Sequence, residues 1–130
     1  MDAATRTGPV RILIVDDDAS IRMLLEVNLE FDERFDLVAS ASSGSELLAQ
    51  LELLPAGIDA VLVDVTLPDV DGLDLVAKLR ARLPTAAIAL YTGWSDPDLL
   101  DRAAAVGANG VFTKTGDTKT LFDELLTLVD

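Results

Sequence analysis

Hydrophobic residues in this chain fall into two spacings that take turns from end to end. Short unbroken runs, rich in Val, Ile and Leu, occur at Arg11–Val15, Leu37–Ala41, about Ala60–Val65, Ala87–Thr92 and Gly110–Thr113. Runs of that length and composition predict strands, and the longest ones predict strands buried on both faces. Between them the apolar positions recur three and four apart, as helices require. Ile21, Leu24, Leu25, Val27 and Leu29 predict a helix over about Ala19–Phe31, with Arg22, Glu26 and Glu30 largely outside it. Ser43 and Glu46 make an S-x-x-E capping box ahead of Leu47, Leu48, Leu51 and Leu54, and Pro55 and Gly57 stop that helix. Asp71 caps a third helix carrying Leu73, Leu75, Val76 and Leu79 before Pro84. A fourth starts at Ser95 and ends before Gly107, a left-handed stop. The last covers about Thr118–Val129, with Leu121, Phe122, Leu125, Leu126 and Val129 inward. Five strands alternating with five helices predict an α/β domain: a parallel sheet, right-handed crossovers, helices on both faces.

Composition narrows this picture. A chain of 130 residues is one domain; residues 1–9 read as a flexible tail and 10–130 as the folded unit. The tail has no apolar core of the kind a signal peptide needs, and no apolar run approaches the roughly 18 residues of a membrane span. The absence of Cys excludes disulfides and thiolate metal sites, which suits a cytoplasmic protein. Ten basic against 23 acidic residues give a net charge of −13, so nucleic acid is repelled. The absence of His removes the commonest general base and transition-metal ligand. What is left is oxygen chemistry, which favours a hard cation such as Mg2+.

Parallel strands place their C-terminal ends on one edge, where open α/β sheets bind ligands. The first strand delivers Asp16 and Asp17 there, the third Asp64, the fourth Thr92 and Gly93, the fifth Lys114. Crowded carboxylates repel unless a cation lies between them. Mg2+ suits them because it keeps sites for phosphate oxygens. Thr92 can donate to a phosphoryl oxygen and Lys114 can neutralise another. The group predicts phosphoryl transfer, with a carboxylate as nucleophile. Asp18 is left to cap the first helix, and Asp69, Asp71 and Asp74 read as capping and surface residues.

These motifs together resemble a response-regulator receiver domain of two-component signalling, over Arg11–Val129. They are Ile14-Val15-Asp16-Asp17-Asp18, Asp64 with Leu67-Pro68 and Asp71-Gly72, Thr92-Gly93, Gly107-Ala108 and Lys114. The resemblance implies a flavodoxin-like sheet with strand order 2-1-3-4-5. It implies that Asp64 accepts a phosphoryl group from a histidine kinase or phosphotransfer protein. Asp17 and Asp64 would ligate Mg2+ directly, Asp16 through water, and the Thr66 backbone carbonyl would be a further ligand. Thr92 would follow the phosphoryl group and Lys114 would pair with it. The domain would be regulatory rather than an enzyme, catalysing only its own phosphorylation and slow dephosphorylation. A downstream protein would read the face of the fourth helix, fifth strand and last helix. With no output domain in the chain, it reads as a stand-alone receiver or one excised from a longer protein.

Three positions depart from the family pattern. Thr115 follows Lys114 where Pro is usual, and a cis bond before a non-proline residue costs about 2.5–4 kcal/mol, so Lys114-Thr115 is expected trans. Val111 stands where an aromatic often turns inward, with Phe112 expected on the opposite face. Trp94 puts a bulky ring at the rim, and with no ring at Val111 to rotate, Thr92, the loop Gly93-Trp94-Ser95 and the helix that Ser95 begins are the expected moving parts. Competing functions fit less well. A haloacid-dehalogenase-like phosphatase would use Asp16 and Asp18 as D-x-D and leave Asp64 without a role. Flavin binding needs a phosphate loop that three aspartates would repel. A phosphorylation-independent docking module would have no use for the complete set.

Overall fold

The computed structural model describes residues 8–54, 56–93, 96–114 and 117–129. Five strands, β1 (Val10–Val15), β2 (Phe35–Ala41), β3 (Ala60–Asp64), β4 (Ala87–Thr92) and β5 (Gly110–Thr113), alternate with five helices. The helices are α1 (Ala19–Glu30), α2 (Gly44–Leu53), α3 (Gly72–Arg82), α4 (Pro97–Ala105) and α5 (Thr118–Val129). All strand pairs are parallel and the order is β2-β1-β3-β4-β5, the doubly wound arrangement expected from the sequence.

Every residue of β3 and β4 is buried, which is why their sequences read as unbroken apolar runs. Alternate residues face opposite layers. Leu13, Val15, Val61, Val63, Ile88 and Leu90 join Leu47 of α2, Val76 and Leu79 of α3, and Leu99 of α4. Ile12, Ile14, Leu62, Ala89 and Tyr91 join Leu25 and Leu29 of α1 and Leu121, Phe122 and Leu125 of α5. Val111 packs with the first group and Phe112 with the second, so these neighbours do point to opposite faces.

The helix starts follow local chemistry. The Asp18 carboxylate accepts from the Ser20 and Ile21 N–H groups, and the Asp71 carboxylate from that of Leu73. Ser43 accepts from the Glu46 N–H as a capping box requires, but Glu46 reaches back to the Ser42 N–H, one residue earlier than expected. The α4 cap is Asp96, with Pro97 in the first turn, where the start was expected at Ser95. Pro suits the first helical position because its missing N–H would have no partner there. Gly107 ends α4 at φ 101° and Gly57 follows α2 at the same angle.

Two expectations need correction. Strand β2 begins at Phe35, not Leu37: the Phe35 ring is buried 5.3 Å from that of Phe122, while exposed Asp36 interrupts the apolar run. On α1 the apolar residues divide. Leu25 and Leu29 are buried, but Leu24 and Val27 are about half exposed, alongside exposed Met23 and Phe31. Glu26, expected outside, turns to β2 and accepts from the Ser40 hydroxyl. Arg22 is half-buried and donates to the Asp16 carbonyl at 2.8 Å. Expectations that fall on residues 1–7, Pro55, Trp94, Ser95 and Thr115 lie outside the described residues. Among the described residues no helix is long and apolar enough to cross a membrane.

Candidate functional site

Asp16 follows β1, Asp64 ends β3, Thr92 ends β4 and Lys114 follows β5, so the sheet order brings all four to one edge. Asp16 and Asp64 are almost fully buried, with relative exposures of 1% and 6%, whereas Asp17 is exposed. One carboxylate oxygen from each of the three lies within 4.8 Å of the others. The Lys114 ammonium donates to Asp16 Oδ2 at 2.9 Å and lies 3.4 Å from Asp64 Oδ1. Its backbone N–H donates to the Thr92 carbonyl at 2.7 Å, which locks the exit of β5 to that of β4. Thr92 is buried and Gly93, next to it, is exposed. Thr66 lies two residues past Asp64, and its N–H donates to Asp64 Oδ1 at 3.2 Å.

The electrostatics are those of a group of like charges short of counter-ions. Burial, then the neighbouring Asp16 charge, push the Asp64 carboxyl up to about 6, against the opposing pull of the Thr66 N–H and Lys114. Burial pulls Lys114 down, but its hydrogen bond to Asp16 and the charges of Asp16 and Asp64 outweigh that and hold it above the usual lysine value. Lys114 pairs with Asp16 and Asp64, and Asp17 adds a third carboxylate beside them, so among the described residues these hard oxygen donors outnumber the ammonium that faces them. That donor set fits a divalent hard cation and does not fit a soft metal.

The expected site residues are therefore brought together: Asp16, Asp17, Asp64, Thr92 and Lys114 at one sheet edge, with Thr66 in the turn just beyond. Asp18 is occupied as the α1 cap, which leaves it unsuited to the acid role of a D-x-D phosphatase. Asp69 is also a cap, but of a distant helix: it accepts from the Gly44 and Ser45 N–H groups of α2. Two further contributors were not foreseen. Arg22 holds the Asp16 backbone from α1. Gly72, part of the Asp71-Gly72 motif at the α3 start, sits so close to β3 that a Cβ would lie 2.6 Å from the Asp64 carbonyl and 2.7 Å from Val65 Cα. Its place directly after the Asp71 cap was visible in the sequence; the close approach was not.

Comparison with known proteins agrees with this fold. Residues 12–126 match the family model of the response regulator receiver domain. The probable transcriptional regulatory protein SgaR of Hyphomicrobium methylovorum is 30% identical over 125 residues, covering 96% of this chain and 58% of that protein. A protein-glutamate methylesterase/protein-glutamine glutaminase of Cereibacter sphaeroides is 34% identical over 116 residues, covering 88% of this chain and 31% of that protein. This chain thus spans about half or less of these curated relatives. Among solved structures, a CheY-like response regulator receiver domain protein from Methanospirillum hungatei superposes with a TM-score of 0.82 at 27% identity, covering 95% of each chain. On the family match and the shared fold, the chain belongs to the response regulator receiver domains of two-component systems.

Proposed function

We propose that the chain is a phosphoacceptor: Asp64 takes a phosphoryl group from a histidine kinase or phosphotransfer protein, and the change is read by a downstream protein. The observation that carries this is the placement of Asp64, a buried carboxylate with Lys114 3.4 Å away and two more carboxylates beside it. A carboxyl group with its pKa near 6 is ionised at neutral pH yet poorly hydrated, which favours nucleophilic attack. The Asp64 oxygen attacks phosphorus, the bond from phosphorus to the donor nitrogen or oxygen breaks, and its electron pair leaves with the donor. An acyl phosphate remains on Asp64. Asp17 and Asp64 would hold Mg2+ directly, Asp16 through water, and the Thr66 carbonyl would add a ligand. When bound, Mg2+ supplies positive charge for the oxygens of the transferring group. Lys114 then neutralises one phosphoryl oxygen and the Thr92 hydroxyl donates to another.

The output follows from the connection between Thr92 and Lys114. Among the described residues other than its chain neighbours, none has an atom within 4 Å of where a Gly93 Cβ would stand, so the backbone after Thr92 has room to follow a shift toward Asp64. The hydrogen bond from the Lys114 N–H to the Thr92 carbonyl carries that shift to β5. The face of α4, β5 and α5, with exposed Leu100 and half-buried Val111 and Phe112, is the surface a partner would read. Incubation with acetyl phosphate and Mg2+, followed by intact-protein mass, tests the phosphoacceptor role. One phosphate adduct on the wild type and none on Asp64→Asn are expected. Equal labelling of Asp64→Asn would place the nucleophile elsewhere.

A further inference from the structure

Lys114 must present its ammonium to a phosphoryl group, yet a lysine stem is long and flexible. In the structure two carboxylates hold it, Asp16 at 2.9 Å and Asp64 at 3.4 Å. Both are residues that a cation and a phosphoryl group would engage. The third contact is different in kind. The ammonium lies 5.3 Å from the centroid of the Tyr91 ring, within the range of a cation–π interaction.

Tyr91 is well placed for that contact. It is 5% exposed, and burial strengthens attraction between a cation and a ring face. The sheet fixes its backbone from both sides: its Cα pairs with Asp64 on β3 and with Phe112 on β5, and its carbonyl accepts from the Val65 N–H. It is the lone aromatic in β3 and β4, whose other buried residues are aliphatic apart from Asp64 and Thr92 at the strand ends. An aliphatic side chain would fill that core position equally well, but it would offer the ammonium nothing.

We infer that Tyr91 is a positioning residue for phosphoryl transfer: its ring face holds the Lys114 ammonium toward Asp64 while the carboxylates are engaged by the cation and the phosphoryl group. The inference rests on the phosphoacceptor role proposed above. Its structural half stands apart from it, since a ring under an ammonium is observable without any transfer.

The experiment compares wild type, Tyr91→Phe and Tyr91→Leu, with Tyr91→Met in reserve should the Leu variant not fold. Tyr91 is the sole Tyr, so its NMR ring signals are assigned without ambiguity. The Lys114 ε-methylene protons are expected to be shifted upfield by the ring in wild type and Tyr91→Phe, and to lose that shift in Tyr91→Leu. With Mg2+ saturating, labelling by acetyl phosphate is expected to slow about five- to thirtyfold in Tyr91→Leu and to recover in Tyr91→Phe. Mg2+ affinity is expected to be the same in all three, because no carboxylate has changed. An unshifted Lys114 methylene in wild type overturns the inference. So does wild-type labelling by Tyr91→Leu, or a loss of Mg2+ affinity in it that matches the loss of rate, since the ring would then act on the whole site. If wild type takes no label at all, the phosphoacceptor role fails, and the methylene shift alone decides whether Tyr91 aims Lys114.

Discussion

Asp64 loses most of its hydration at the end of β3 and lies beside another buried carboxylate, and that costs stability. Folding raises its pKa from 3.8 to about 6. Between those values the folded protein holds a proton that the unfolded chain has released. The unfolded state therefore binds fewer protons, and this group's contribution makes stability fall as pH rises through that window. Asp64→Asn removes the charge and keeps an oxygen to accept from the Thr66 N–H. Without divalent cations the Asn variant is expected to be more stable than wild type at pH 7.5 by about 1–3 kcal/mol, the gap closing toward pH 4. Urea unfolding at several pH values measures this. An Asn variant less stable than wild type at neutral pH would mean that the site is not electrostatically strained. The placement of this carboxylate was readable from the sequence because a strand that stops at Asp puts it on the sheet edge. Its degree of burial was not, since that depends on segments distant in the sequence closing around it.

At the scale of elements, strands and helix caps were legible and side-chain partners across elements were not. Apolar runs located β1, β3, β4 and β5 to within a residue; in β3 and β4 the reason is burial on both faces, which leaves almost no polar positions to confuse the count, while half-buried β5 is marked by its flanking Gly107 and Lys114. Periodicity failed on α1, where Leu24 and Val27 share the helical spacing of Leu25 and Leu29 but lie on its outer side. Spacing alone does not say how wide the buried stripe is. The Arg80 guanidinium is a further case. It donates to the carbonyls of Leu83, Ala86 and Gly107 and to Asn109, tying α3 to the turns before β4 and β5. Nothing near Arg80 in the sequence announces that. Gly72 joins an element to the site. With the Asp64 carbonyl and Val65 backbone under 3 Å from any added Cβ, Gly72→Ala must push α3 away from the end of β3. A loss of about 1–3 kcal/mol is expected, of the size seen for overpacking, together with slower labelling of Asp64. Thermal unfolding and acetyl phosphate kinetics check both. A fully stable, fully active Ala variant would show that the α3 start does not position Asp64.

Over the whole molecule, a parallel sheet in the order β2-β1-β3-β4-β5 turns residues up to 98 positions apart, Asp16 and Lys114, into direct partners. A chain of net charge −13 that also gathers three aspartates at one edge gains from any cation bound there. Mg2+ at a hundred times its dissociation constant is expected to stabilise the fold by about 2.7 kcal/mol. Asp17→Ala, which removes the exposed carboxylate and leaves the buried pair, is expected to lose most of the accompanying rise in Tm. A rise undiminished in Asp17→Ala would exclude Asp17 as a ligand. The central claim is the identity of the phosphorylated atom, and trapping tests it most directly. Borohydride reduces an acyl phosphate on an aspartate to homoserine, which survives digestion and is located by peptide mass spectrometry. After labelling with acetyl phosphate and Mg2+, homoserine is expected at position 64 and nowhere else. Homoserine at position 16 or 17, or a phosphate adduct on intact protein that yields none at 64, would contradict it.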